Sequence, residues 1–494
     1  MNKKNYLKTV LLLSTILVLN GCYTRPDPWV KPRPLGSDYK TFIPVESDTK
    51  PDIEKAEIPN PIEHSGKIKL RDALSLALMR NPELRSYSWE VRKAEALSLQ
   101  AGLMPNPVIS TELEDFGGTG DRKNADDAQA TFTLSQVIEL GFKGSKRRRI
   151  ADLETSLKAW EYESKRLDVF TNTCKAFIEY TVAIKRLELN NELFEVAKKT
   201  RDTIAVRVKK GKDPEVDLKR AEVALSLSRI KCERSKRKIA ITRRKLGIIW
   251  NSRDPQFTGS AGNIEKLNNI PTFEELDKLI DKNPDIAKWA TEAELRQAIL
   301  VLEKTKRIPD LEITGGIRGY SDNPDMAFLV GVSMAIPILD FNEGNVKNAQ
   351  LSLQQLPDEE ISAKNKIWLS LAETWEELAF LYFEANKLKE KIIPEAKIAY
   401  NQTLDRFKKG RGDYLDVLDA QRSFFQTRHE YLQALESFHL KKADAERIIA
   451  QKLVGLEKKK AKTSKVKYKA NKKDKKNGNK NMKSDIEKTR KGLL

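Results

Sequence analysis

The sequence predicts a mixed chain of transmembrane β-strands and very long α-helices, built from a tandem internal repeat. Three observations carry that expectation. Landmarks recur in one order at a nearly constant offset: Asn81-Pro82 returns as Asn283-Pro284, Leu134 to Ile138 as Met334 to Ile338, and Lys209-Lys210-Gly211 as Lys408-Lys409-Gly410. Short stretches alternate apolar and polar residues with the period of two that marks a strand. Long stretches hold no proline, from Pro107 to Pro214 and again beyond Pro394, so uninterrupted helix is permitted there.

Composition sets the limits. Of 494 residues 39% are apolar and 33% charged, enough to bury a substantial core. The one long apolar run, Val10 to Leu19, is half the roughly twenty residues of a spanning helix. Three cysteines and three histidines exclude a disulfide scaffold and argue against an elaborate zinc site. The net charge of +19 suggests nucleic-acid binding until it is partitioned: residues 458–494 alone hold fifteen Lys and one Arg against Asp474, Asp485 and Glu487. The remaining chain is close to neutral, so the basicity belongs to a tail.

Residues 1–21 read as an export signal, with Lys3, Lys4 and Lys8 ahead of a short apolar stretch. The stretch ends Leu19-Asn20-Gly21-Cys22, which resembles a bacterial lipobox and makes Cys22 the expected acylated first residue of the mature chain. An ordinary secretory signal with an incidental cysteine is the alternative. Tyr23, rather than Asp, follows the cysteine and permits delivery to the outer membrane.

Residues 22–64 are expected to form an extended arm, since eight of the twenty prolines lie between Pro26 and Pro61. The first repeat spans residues 65–255. It should hold a helix ending near Leu103, strands at about 108–116 and 128–137, and a helical hairpin turning near 211–214. The second spans 267–456, with strands at about 310–320 and 327–336 and a hairpin turning near 410–413. Pro357 and Pro394 are expected to kink or restart its ascending helix. Cys174 and Cys232 lie at different heights of the first hairpin and cannot pair. Residues 457–494 read as a disordered Lys-rich tail.

Four strands per chain are too few to close a barrel, and unpaired strand edges cannot face lipid. The smallest bilayer barrels have about eight strands. Several chains must therefore pool their strands, and helices far longer than a membrane is thick must extend away from it.

Here the residues match a family. The chain resembles the TolC-like outer-membrane efflux proteins over roughly residues 65–455, in its duplicated unit and in the segment Phe407-Lys408-Lys409-Gly410-Arg411-Gly412-Asp413-Tyr414-Leu415-Asp416-Val417-Leu418-Asp419-Ala420-Gln421. The resemblance implies a homotrimer whose twelve strands form one outer-membrane β-barrel, continued by a periplasmic α-helical coiled-coil barrel. It also implies outer-membrane lipid around the barrel, docking to a periplasmic adaptor, and an inner-membrane pump of the resistance-nodulation-division type. Pro105-Asn106-Pro107, Glu112 to Gly118, Leu134 to Gly141 and the basic run Lys146-Arg147-Arg148-Arg149 further resemble the cobalt–zinc–cadmium efflux branch, which leans the cargo toward metal cations over organic compounds. After Ile138-Glu139-Leu140 that branch has Gly-Gly-Lys-Arg, where this chain has Gly141-Phe142-Lys143-Gly144.

The expected function is thus a passive exit duct of a tripartite efflux pump, with organic-drug export or type I protein secretion as alternatives. A periplasmic coiled-coil scaffold is the competing class, and the period-two strands argue against it. No Ser/His/Asp set, phosphate loop or metal cluster stands out, so no enzyme, cofactor or bound metal is expected, and His64, His429 and His439 lack ligand spacing. Export argues against nucleic-acid binding.

Candidate residues fall at the two turns. Adaptor docking is expected at the two turns, around Gly211 and Gly410, glycines that suit a reversal at positive φ, with Lys212, Arg411 and Leu415 as the exposed candidates beside them. Asp416 and Asp419, three apart, share one helix face just after the second turn. In the resembled family, acids at these positions ring the periplasmic aperture. Asp217 holds the equivalent place in the first repeat, either adding to that ring or bracing its hairpin.

Overall fold

A computed structural model describes residues 65–453, except 124 and 126. Cys22, the Pro-rich arm and the Lys-rich tail lie outside the described residues. Six strands run in chain order: β1 (Gly66–Ile68), β2 (Val108–Glu114), β3 (Gln129–Ile138), β4 (Phe257–Ser260), β5 (Leu311–Tyr320) and β6 (Met326–Met334). The helices are α1 (Leu70–Arg80), α2 (Pro82–Ala101), α3 (Lys143–Lys209), α4 (Glu215–Ile248), α5 (Phe273–Asp277), α6 (Pro284–Thr305), α7 (Glu343–Lys387), α8 (Ile393–Lys408) and α9 (Tyr414–Ile448). At 67 residues, α3 is about 100 Å long.

The chain divides into two compact units, and each draws on both sequence halves. One joins Ser86–Glu163 to Ala287–Ala363; the other includes Ser164–Ile286 and residues 364–453. The cuts after Glu163 and Ala363 are 200 residues apart, the spacing of the sequence landmarks.

The first unit holds an antiparallel sheet of order β2-β3-β5-β6. Its register places Ile109 opposite Leu134, Phe132 opposite Ile317, and Ile317 opposite Phe328. Because side chains alternate across the pleat, these residues share one face with Leu113, Ile313, Val330 and Val332. That face is apolar yet open: Phe328 is 87% exposed and Val330 86%. The other face is mostly polar. Arg318 donates to Thr131 Oγ1 at 2.8 Å and to Gln129 Oε1 at 3.1 Å, and pairs with Glu114 at 3.3 Å. Strands β2 and β6 are unpaired edges of the described sheet.

The basic run near Lys146 is a set of ties at the start of α3. Arg147 grips both Glu139 carboxylate oxygens, at 2.5 and 2.9 Å, and donates to the Ala101 carbonyl at the end of α2. Lys146 reaches Thr305 Oγ1 at 2.6 Å, Lys143 pairs with Asp310 at 2.7 Å, and Arg149 with Glu294 at 2.7 Å. The charges thus fasten helix ends and strand ends to one another.

The second unit is a helical assembly. On α4 a narrow seam of Ala221, Ser228, Cys232, Ser235 and Thr242 is buried. Small residues let it lie close to α3: Cys232 donates through sulfur to the Asn190 carbonyl at 3.2 Å, and Asn190 donates to Ser235 Oγ at 2.7 Å. Cys174 and Cys232 are both buried and free, as expected, and burial pushes both thiols up. Arg447 ties α9 to α3 and α6 through Asp168 at 2.9 Å, Asp285 at 2.7 Å and Ser164 at 3.0 Å.

One expectation needs correction. Pro357 does not interrupt its helix, since it sits inside the continuous 45-residue α7; buried Leu356 beside it packs the helix in place (7% exposed). Pro394 does mark a break: α7 ends in one π turn, Leu388–Ile392, and α8 starts with the proline in its first turn, where its missing N–H costs nothing. The short parallel pair β1–β4 was not expected; three and four residues carry no readable period.

Candidate functional site at the hairpin turns

The site is built where α3 reverses into α4 and α8 into α9. Both turns close alike. The Lys212 N–H donates to the Arg207 carbonyl at 2.9 Å and the Gly211 N–H to Val208 at 2.9 Å; Arg411 to Arg406 at 2.9 Å and Gly410 to Phe407 at 3.0 Å repeat the pattern 199 residues later. This is the Schellman cap, whose C′ residue must be left-handed. Gly211 has φ +66° and Gly410 φ +71°, so the glycines are where such a cap requires them.

The two turns lie side by side. Arg207 forks onto Asp213, Nε to Oδ2 at 2.6 Å and Nη2 to Oδ1 at 2.8 Å, which raises the guanidinium's affinity for its proton. The same guanidinium stacks 4.6 Å from the centre of the Phe407 ring. Beneath them lies an apolar core that includes Ile204, Phe407, Tyr414, Val417 and Leu418. Tyr400 and Phe424 stack there, 5.9 Å apart and nearly parallel at 7°. Sequence reading missed the Arg207–Asp213–Phe407 brace. Its only sequence signal, an Arg six residues before an Asp, is too common to single out.

Around this rigid base the expected residues separate. Lys212, Arg411 and Leu415 are exposed. Asp416 and Asp419 are also exposed, on the side of α9 away from buried Val417 and Leu418. Asp217 departs from them. It is 4% exposed, pairs with Arg220 at 3.1 Å, and its charge adds to burial in pushing the Tyr414 phenol up. A carboxylate so enclosed braces the hairpin and does not share the open face of Asp416 and Asp419. Of the expected residues, the two turns therefore present the carboxylates Asp416 and Asp419, the cations Lys212 and Arg411, and Leu415 on a fixed frame.

The helical histidines serve packing. His439 Nε2 lies 2.7 Å from the Ile264 carbonyl. Burial, with Lys231, Arg186 and Arg428 nearby, holds His429 down to about 4. Among the described residues no three His, Cys, Asp or Glu side chains converge as metal ligands, and no helix is long and apolar enough to cross a membrane.

Comparison with known proteins places this geometry. The outer membrane efflux protein family matches residues 73–252 and 276–446. The cobalt-zinc-cadmium resistance protein CzcC of Cupriavidus metallidurans is 29% identical over 420 residues, covering 85% of this chain and 99% of that protein. The Salmonella typhimurium protein named "Probable outer membrane lipoprotein SilC" is 20% identical, covering 86% of this chain and 94% of its own. A crystal structure of CusC superposes with a TM-score of 0.67 at 15% identity, covering 77% of this chain and 92% of that one, which is a likeness of fold.

Proposed function

The chain belongs to the outer membrane efflux protein family, and from that membership we propose that it is the outer-membrane channel of a tripartite efflux system, a passive duct for metal cations. The observation that carries the channel is the four-stranded sheet: one apolar face left open, one polar face, and two unpaired edges. In water such a face and such edges are a liability; in a barrel pooled from several chains the apolar face meets lipid and the edges pair. Three copies supply twelve strands, and the chain is then a homotrimer of tandem repeats. The long helices form its periplasmic tunnel, and Lys212, Arg411 and Leu415 at the turns meet the adaptor, behind which stands the inner-membrane pump. Family membership makes the protein a channel, not an enzyme.

The similarity to CzcC supports metal cations as cargo. In the native host, deletion of the gene should lower tolerance to zinc, cobalt or cadmium while leaving tolerance to organic drugs unchanged, with restoration by the gene in trans. Sensitivity confined to organic drugs would overturn the cargo.

Lipid anchoring through Cys22 belongs to the same reading. It rests on Leu19-Asn20-Gly21-Cys22 and on the likeness to SilC. Mass spectrometry of the purified protein should find acyl mass on a peptide that begins at Cys22. An unmodified peptide reading through Gly21-Cys22 would exclude the anchor.

A further inference from the structure

Nothing in the duct accounts for the Lys-rich segment that follows α9. Residues 458–480 hold twelve lysines against Asp474, with Val466 and Tyr468 as their only large apolar side chains. Over residues 458–494, sixteen cations against three acids leave a net charge of +13. Such a segment carries no apolar face to sink into a lipid interface. What it offers a partner is charge.

The fold fixes where this charge leaves it. Just past α9 the chain is packed: Ile449 is fully buried and Leu453 is 5% exposed, in one core with Leu276 and Ile280. The Glu446 carboxylate accepts from the Leu453 N–H at 3.0 Å, and Arg447 holds Asp168 of α3 at 2.9 Å. Asp168 is 25 residues into α3, so roughly 40 Å of helix separates it from Lys143, which closely follows β3. The packed neighbours do not neutralise the segment. Glu274, Glu275, Asp277 and Asp281, around Leu276 and Ile280, are offset in part by Lys278 and Lys282. A surplus of two acids is far too small to absorb a charge of +13.

We propose that the Lys-rich segment is a polyanion-binding tether that holds the channel in the periplasmic wall, pairing with the free carboxylates of the wall's peptide-linked glycan. The inference rests on the channel reading, which puts the four-stranded sheet in the outer membrane and the helices in the periplasm. On that reading the segment starts about 40 Å of helix away from the strands, whereas a charged bilayer surface attracts cations over a screening length of only about 10 Å at 0.1 M salt. The wall is the anionic polymer that helices of this length must pass through. Each exposed lysine–carboxylate contact is weak and screened by salt. Many on one segment, tripled in a trimer, add up as avidity.

The test is pelleting of the full-length protein, in detergent, with purified wall sacculi. The native chain should pellet with them at 0.1 M salt and be released at 1 M, where the reach of charge falls from about 10 Å to about 3 Å. A variant with Lys→Gln at all fifteen lysines of residues 458–494 should bind at least about tenfold more weakly, as should the native chain to sacculi whose carboxyls have been amidated. Planar-bilayer conductance of the two proteins should be the same, since the segment takes no part in the duct. Equal pelleting of both proteins, or undiminished pelleting with amidated sacculi, would overturn the proposal. So would a native chain that ignores sacculi and binds vesicles of phosphatidylethanolamine and phosphatidylglycerol, which would give the segment to the membrane. A native chain that pellets through its lysines yet conducts nothing would overturn the channel reading and leave the polyanion site standing.

Discussion

The Asp416→Ala, Asp419→Ala double variant should abolish the cation preference of the channel in a planar bilayer. The two carboxylates lie on one exposed face of α9, in its first turns after the Gly410 reversal. The rigid aromatic core behind them fixes their direction, since Tyr414, Val417 and Leu418 are nearly fully buried. In the proposed trimer, six carboxylates would converge on the aperture. A ring of one sign in a narrow passage raises the local concentration of counter-ions and repels co-ions, by roughly 10- to 1000-fold in favourable clefts. The native channel should therefore pass cations over anions and be blocked by multivalent cations at low concentration. The double variant should lose the preference and need about 10- to 100-fold more blocker. Acids in the first turn of a helix are also favoured by its dipole alone, and a purely local role of that kind predicts unchanged selectivity and unchanged block. That result would move the aperture elsewhere. Asp217→Asn serves as the contrast: it removes a buried brace, so it should loosen the hairpin and leave ion preference alone.

How much of this was legible in the residues depends on how local each cause is. The β2, β3, β5 and β6 strands showed in the sequence because a two-faced strand must alternate, and the observed bounds fall within about two residues of those expected. The turns showed because a Schellman cap asks for glycine at one position. Asp217 did not. It occupies the place of Asp416 in the repeat, yet the buried seam of α4 passes through 217, whereas that of α9 passes through 417 and 418. A one-residue difference in seam phase rotates a side chain by about 100°, enough to exchange an open carboxylate for an enclosed one. Pro357 was read by the local rule and overruled by packing. The brace from Arg207 to Phe407 joins residues 200 apart, and no pattern along the chain records that contact.

Replacing Asn283 by Ala should weaken the junction of α6 and α9 by about 2–3 kcal/mol, the sum of a lost cap and a lost hydrogen bond to a carbonyl. Asn283 is 1% exposed. Its Oδ1 accepts from the Asp285 N–H at 2.9 Å, and its Nδ2 donates to the Ile448 carbonyl at 2.9 Å. One side chain thus serves an unpaired donor at the start of α6 and an unpaired acceptor at the end of α9, groups that a helix cannot satisfy from within. Asn81 does the same in the first half, accepting from the Leu84 N–H at 2.8 Å and donating to the Ile249 carbonyl at 2.8 Å. The recurring Asn-Pro is therefore a clamp: asparagine is needed because it is donor and acceptor at once, and proline follows because the first helical residue has no use for its N–H. Amide hydrogen exchange in the assembled protein resolves the effect locally. In Asn283→Ala the amides of the first turn of α6 should exchange about 30- to 160-fold faster, the ratio that 2–3 kcal/mol corresponds to. Asn283→Ser keeps the capping oxygen and loses the reach to Ile448, so it should lie near the midpoint. If both variants exchanged like the native chain, the clamp would carry no load and the recurrence of Asn-Pro would need another cause.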